Sequence, residues 1–397
     1  MQLFDPRLLR LLSFLTRKQG WLLPKDVAAS FRIDGKPVTS RTVQRWFSFL
    51  RTNGGFVYYP YPRANALGLQ DVLVRIHRVN NPAVLGVLPF ASSFNVETAL
   101  SDGHPFVSQA YWVPGAALRA FEEYWTAARD LGFLDRVDIL RAKNTHTIFS
   151  PFHEVITPDG RGRIESSVDN AYFEALIRRN LRGTFEVRLS EKIAASPLVI
   201  PIVIEHIWQH YSSQHVWRAI RAAGEGYILR YGRGLLKKAL ERTGSALRLV
   251  QEQWSGLMED FDAVFLQPRV FFDWPTIRDA TFLSFLIRTD TDRMVEAAMR
   301  ASEYAIVTAL KPGLGPEGQC HVTCFVPSDR MLEVLRIVNE FHRGREPPVV
   351  SLQDRKATLA LFQPTFCRLD WRLFDPVDLS WRFEGDHYLE QLKALKS

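Results

Sequence analysis

The chain has 397 residues, 46% hydrophobic and 23% charged, an ordinary globular composition long enough for two or more domains with their own cores. It excludes a disordered chain, and the most apolar run, SPLVIPIVIEHIW at 196–208, is broken by Pro201 and Glu205, short of the roughly 18 to 20 residues that span a bilayer. The net charge of +7 is concentrated: residues 1–65 hold eleven Lys and Arg against three acids, a balance of +8, and the remainder sums to −1. Such a basic segment suggests a polyanionic partner. The start of the sequence carries an acid and lacks the small-residue cleavage site of a signal peptide, so a cytoplasmic protein is expected. Three cysteines, Cys320, Cys324 and Cys367, argue against a disulfide framework.

In chain order, DPRLLRLLSFLTRK places Leu8, Leu11, Leu12 and Leu15 at helical spacing. LPKDVAASFRI predicts a short second helix with Pro24 near its start. VTSRTVQRWFSFLRTNGG predicts a third, N-capped by Thr39 or Ser40, stopped at Gly54 and Gly55, and burying Val43, Trp46, Phe47 and Leu50. Its outward residues, Thr39, Ser40, Arg41, Gln44, Arg45 and Arg51, are all neutral or basic. Hydroxyls at a helix N-terminus hold phosphate, and Arg and Gln bond base edges in the major groove. With Lys36 and Arg63 they form the candidate DNA-reading surface, and FVYYPYP supplies a wing or exit strand.

From residue 68 the pattern becomes strand (GLQDVLVRIHR), helix (NNPAVLGVLPFASS), strands (FNVETALSD and FVSQAYWVP), helix (GAALRAFEEYWTAARDLG, burying Leu118, Phe121, Tyr124 and Trp125) and strand (RVDILRAKNTHTIF). This βαββαβ order is that of a ferredoxin-like domain. It recurs as strand 282–289, helix 290–302, strands 304–310 and 320–326, helix 328–343 and strand 349–362. The landmarks of the two copies stand 213 residues apart: Val57 and Val270, Pro62 and Pro275, Leu73 and Leu286, Arg75 and Arg288, WVP at 112–114 and FVP at 325–327. The chain is a unit of about 180 residues written twice. Cys320 and Cys324 share one face of a strand and are expected to be core thiols.

The copies are unequal. Aligned on the shared VQ, Thr39 and Ser40 become Ala246 and Leu247, and Arg45 becomes Glu252; residues 245–261 balance at −2 against +3 for 38–53. An acidic helix is repelled by phosphate, so the second copy is expected to have lost base reading, with Arg233, Lys237, Lys238, Arg242 and Arg248 left for backbone contacts.

A basic three-helix unit, LLRLLSFL…VTSRTVQRWFSFLRTNGGFVYYPYPRANALGL, followed by DVLVRI…FVSQAYWVPGAALRAFEEYW, resembles the leucine-responsive/AsnC family of transcription regulators. The resemblance implies an α+β chain of two tandem repeats, each a winged helix-turn-helix followed by a ferredoxin-like domain: 1–65, 66–176, a connector at 177–212, a degenerate helix-turn-helix at 213–278, and 279–397. It implies a regulator that binds double-stranded DNA, acts as a homodimer and answers to a small-molecule effector. The pocket would lie near the loops of Asp102, Gly103, His104, Gly313 and Glu317. Such a chain looks like a covalent pseudo-dimer. No resident cofactor, metal site, membrane partner or catalytic group is expected; His206, His210 and His215 lack a defined further zinc ligand. Two alternatives stand beside this reading. One is a tetrapyrrole-binding enzyme of the sirohaem decarboxylase type, built from similar units, although SQAYWVP and TCFVPS lack the expected Arg- and aromatic-rich strand ending. The other is an effector-binding or interaction module that does not bind DNA.

Overall fold

The computed structural model describes residues 5–17, 24–54, 57–62, 68–142, 266–271, 280–314, 318–363, 370, 373–375 and 380–396. The N-terminal helices fall where the apolar spacing puts them. They are α1 (Pro6–Arg17), α2 (Pro24–Ser30) and α3 (Ser40–Gly54). Leu8, Leu11, Leu15, Val27, Val43 and Trp46 are buried between them, while Phe47 is only half-buried. Thr39 caps α3, its Oγ1 accepting the Thr42 N–H at 3.2 Å and satisfying one of the helix's open donors. Between α2 and α3 the chain makes a small hairpin, β1 (Arg32–Ile33) and β2 (Lys36–Pro37). Its turn is Asp34 and Gly35, both at positive φ, the backbone that a two-residue hairpin loop requires.

The aromatic strand β3 (Val57–Pro62) pairs antiparallel with β8 (Leu266–Phe271): Val57 faces Phe271 and Tyr58 faces Val270. Val270 and Phe271 open the second occurrence of the repeated phrase, so the two occurrences meet at their first residues.

The first half of the sheet comprises β4 (Leu69–Val79), β5 (Ala91–Ala99), β6 (Pro105–Pro114) and β7 (Leu134–Arg141), with α4 (Leu118–Asp130) between the last two. The second contributes β9 (Ala280–Arg288), α5 (Thr291–Ala301), β10 (Ile306–Leu314), β11 (Gln319–Pro327), α6 (Met331–Phe341) and β12 (Val349–Gln353). The eight strands form one antiparallel sheet in the order β10-β11-β9-β12-β5-β6-β4-β7. Each half runs in the same internal order, and the halves join where β12 pairs with β5, Ser351 facing Ala99. The opposite edges also meet, because Ala142, just after β7, bridges to Leu314 of β10. The sheet thus curls until it closes on itself.

The outer face is apolar and carries the helices. Val72, Val74, Ile76, Tyr111 and Val113 pack against Phe121, Tyr124 and Trp125 of α4. Edge-to-face ring contacts among Tyr111, Phe121, Tyr124 and Trp125 add directionality to the area that they bury. Helix α8 (Gly385–Ala394) brings Tyr388 and Leu392 from the end of the chain into this same core. On the other half Leu283, Phe285, Ile287, Cys320 and Cys324 pack against Met294, Val295, Val334 and Val338. The two cysteines are buried free thiols, as their spacing predicts; burial pushes the Cys320 thiol up to about 11.

Three expectations need correction. The helix expected in NNPAVLGVLPFASS is a short 3-10 helix over Pro82–Gly86 rather than an α-helix. Pro82 fits a first helical position, but Gly86 and Pro89 allow no continuation. The strand expected over 349–362 ends at Gln353, where Asp354 caps α7 (Arg355–Leu361) by accepting the Ala357 N–H at 2.8 Å. The constant offset of 213 also slips: Pro114 faces Leu69 while Pro327 faces Ala280, so β4 and β9 correspond at 211. A two-residue slip leaves every side chain on its original face.

Candidate functional site

Closing the sheet turns one face of every strand inward, and that face carries a cluster of buried polar side chains among apolar ones. Along β4, Asp71 and Arg75 alternate with the outward Val72, Val74 and Ile76. Glu97 on β5, Ser108 on β6, Ser284 on β9, His321 and Thr323 on β11, and Ser351 on β12 are likewise buried. Buried polar groups are costly without partners, so the partners define the site.

Lys311 Nζ lies 2.9 Å from Asp71 Oδ2. Ser351 Oγ donates to Glu97 Oε2 at 2.5 Å, a bond between the two copies. His321 Nε2 is 2.6 Å from Ser284 Oγ. Arg75 is 4% exposed and lies over the Phe106 ring, with Cζ 5.3 Å from its centroid. Burial works against the charge of Arg75, whereas Glu97 and Asp138 support it. Burial likewise holds His321 well below the usual imidazole range, and the charges of Arg75 and Lys311 push the same way. His321 is therefore a neutral imidazole facing two cations.

Four polar atoms in this interior have no hydrogen-bond partner among the described residues: Arg75 Nε, Arg75 Nη2, His321 Nδ1 and Asp71 Oδ1. Unmet buried donors and acceptors are rare in folded proteins and call for a reason. They come from β4 and β11 of the closed sheet, the Arg75 donors and the Asp71 oxygen from one half and the imidazole nitrogen from the other.

The walls are asymmetric. Arg75 stands directly opposite Ser108 on the β4–β6 ladder. The corresponding pair of the second copy is Leu286 opposite His321. The guanidinium is on one wall and the imidazole on the other. Toward the rim, His77 Nε2 lies 3.2 Å from Asp138 Oδ2, and Arg136 Nη2 is 3.0 Å from both. Burial alone would raise the Asp138 carboxyl, but the bonds from His77 and Arg136 prevail and hold it below the ordinary range.

Of the residues singled out from sequence, Thr39, Ser40, Arg41, Gln44, Arg45 and Lys36 are exposed on or beside α3. Arg51 lies in α3 but its side chain is outside the described set, as are Arg63, Arg233, Lys237, Lys238, Arg242 and Arg248 altogether. The same holds for the connector, His206, His210 and His215, and nearly all of the second helix-turn-helix. Asp102, Gly103 and His104 form the exposed β5–β6 turn, where Asp102 Oδ1 accepts the His104 N–H at 2.9 Å. Gly313 sits in β10 at positive φ, and Glu317 is outside the described residues. None of those whose side chains are described belongs to the buried cluster.

The cluster itself was missed in the sequence. Its signal was present: in DVLVRI and CHVTC, polar residues alternate with apolar ones on strands whose other face is fully apolar. No group of three or more potential metal ligands occurs among the described residues.

No protein-family model matches the chain, and no curated protein sequence matches it. Two solved structures are similar. One is the siroheme decarboxylase NirDL, at 11% identity and a TM-score of 0.47; the other is NirDL in co-complex with an iron-uroporphyrin III analogue, at 10% and 0.46. Each match covers 98% of this chain and 100% of the other.

Proposed function

We propose that the interior of the closed sheet binds a carboxylate-bearing small molecule, and that the chain is a tetrapyrrole-binding enzyme of the sirohaem decarboxylase type rather than a DNA-binding regulator. The observation that carries this reading is Arg75, buried and presenting Nε and Nη2 with no protein partner. A guanidinium in that state is matched by a carboxylate, which accepts two parallel bonds from it. Tetrapyrrole acids carry such groups on flexible acetate and propionate arms. The protein in the two similar structures bears the same functional name, but the support in this chain is its own interior.

Decarboxylation breaks the bond between the carboxylate carbon and the arm, releases carbon dioxide and delivers a proton to the carbon left behind. A neutral imidazole with an open nitrogen, His321, is the kind of group that can exchange that proton. The architecture behind this site we read as two tandem repeats, each a winged helix-turn-helix followed by a ferredoxin-like unit, with the boundaries set out above. The shared strand order of the two halves supports it.

The test is titration of the purified chain with sirohaem, following the Soret band and the mass of the recovered tetrapyrrole. A saturable spectral change with loss of carbon dioxide is expected. No spectral change, or one equally strong in Arg75→Met, would sink the reading.

A second reading, DNA binding by α3, is favoured by one observation: the Thr39-capped N-terminus of α3 leaves Ser40, Arg41, Gln44 and Arg45 exposed together. Its measure is retention of genomic fragments across a salt series.

A further inference from the structure

We propose that an anionic ligand enters this interior together with one proton, and that His321 receives that proton on Nδ1. The inference rests on the reading above, that a carboxylate binds beside Arg75, and it concerns what the protein must do to tolerate that charge.

The enclosed groups already balance. Lys311 offsets Asp71 at 2.9 Å, and Glu97 is near enough to act on the Arg75 charge; at the rim Arg136 offsets Asp138 at 3.0 Å. A carboxylate added to this set leaves one uncompensated negative charge among side chains removed from water, a state that proteins avoid by changing a protonation state.

With the Nε2–H of His321 given to Ser284 Oγ, two buried atoms without a partner among the described residues are open to a proton, His321 Nδ1 and Asp71 Oδ1. Asp71 already holds an ion pair with Lys311 at 2.9 Å through its other oxygen, whereas His321 Nδ1 has no partner among the described residues. His321 is therefore the easier acceptor.

The groups facing it explain why the proton arrives only with the ligand. Lys311 on β10 stands directly opposite His321 on the ladder. Arg75 reaches it electrostatically from β4, and Ser284 on β9 bonds its Nε2. Asp71, Glu97 and Ser351 complete the enclosure. Two cations repel a proton while the interior holds no ligand; a carboxylate on Arg75 reverses that balance. Once protonated, His321 donates from both nitrogens, Nε2 toward Ser284 Oγ and Nδ1 toward the interior. The ligand is then held by a donor from each copy of the duplicated unit.

The experiment is calorimetry of the full chain with metal-free uroporphyrin III near neutral pH, in two buffers of different ionisation enthalpy, alongside 15N NMR of histidine-labelled protein. Uptake of about one proton per ligand is expected, with affinity falling about tenfold per pH unit above neutrality. His321 should be neutral in the free chain and charged in the complex. His321→Gln should still bind, without the uptake. Binding with equal heats in both buffers, or a His321 that stays neutral in the complex, would overturn the inference and leave the carboxylate reading intact. Uptake undiminished in His321→Gln would overturn the assignment to His321; the NMR signal of the unaltered chain decides the matter if that variant does not fold. No binding of the porphyrin acid would overturn the reading beneath it, and the inference with it.

Discussion

Lys311 on β10 meets Asp71 on β4 at 2.9 Å, although β11, β9, β12, β5 and β6 all stand between their strands in the sheet. Two strands so far apart in order touch only because the sheet is closed. The pair, together with the Ala142–Leu314 bridge and the small apolar cluster of Ala142, Leu286 and Leu314, holds the seam from the inside.

Replacing Lys311 with Met should therefore destabilise the chain by about 3 kcal/mol or more, because Asp71 is left charged and buried without its partner. The double variant Lys311→Met, Asp71→Asn should recover much of the loss. Urea unfolding followed by tryptophan fluorescence measures both; equal midpoints for the single variant and the unaltered chain would show that the pair carries no load.

Acid should weaken the fold through His321. Its folded form resists protonation because it is buried and faces Arg75 and Lys311, while the unfolded chain takes up the proton near pH 6.5. The stability from a neutral His321 is thus present above that pH and is lost as pH falls below it. His321→Gln should flatten this part of the stability–pH profile. A variant as acid-sensitive as the parent would assign the effect elsewhere.

Tyr124 makes the opposite prediction in alkali. Its hydroxyl donates to the Val84 carbonyl at 2.8 Å, and burial raises its phenol far above the ordinary value of 10. Stability should hold up to about pH 10 and then decline, as the unfolded chain ionises and the folded one does not. Tyr124→Phe should remove that decline and cost about 1 kcal/mol at neutral pH.

Arg75→Lys keeps the charge but loses the planar fork. Carboxylate affinity should fall by about tenfold, measured by porphyrin titration, whereas Arg75→Met should lose about 2 kcal/mol or more of binding. If lysine served as well as arginine, the two-bond contact would be absent.

Reversing Arg41 and Arg45 to Glu changes only exposed positions on α3. Porphyrin binding and thermal stability should be unaffected; any retention on DNA at low salt should disappear. Unchanged retention would remove α3 from the contact surface.

The elements set by local spacing were legible in the sequence. Leu8, Leu11 and Leu15 announce α1, Thr39 announces the start of α3, and the alternating strands and the buried face of α4 lie close to where the pattern puts them. Departures arose where a single residue decides. Pro89 follows Gly86 too soon for an α-helix, and Asp354 starts one inside the segment 349–362 expected as a single strand. The interior was illegible for a different reason. Whether Arg75 and His321 point to water or to each other depends on two edges meeting, Ala142 with Leu314, across a long stretch of chain that no local pattern encodes. The exposed turn at Asp102–His104 looked more like a binding loop than the strands did, since loops more often carry function.

The ladder pairs Arg75–Ser108 and Leu286–His321 carry a consequence for symmetry. Two identical subunits closing the same sheet would repeat each ladder pair on both walls, so that an arginine at the one position, or an imidazole at the other, would appear twice. Joining the copies in one polypeptide lifts that restriction. Each wall can change without its twin, and one enclosed space can offer a charge to one end of a guest and a titratable nitrogen to the other.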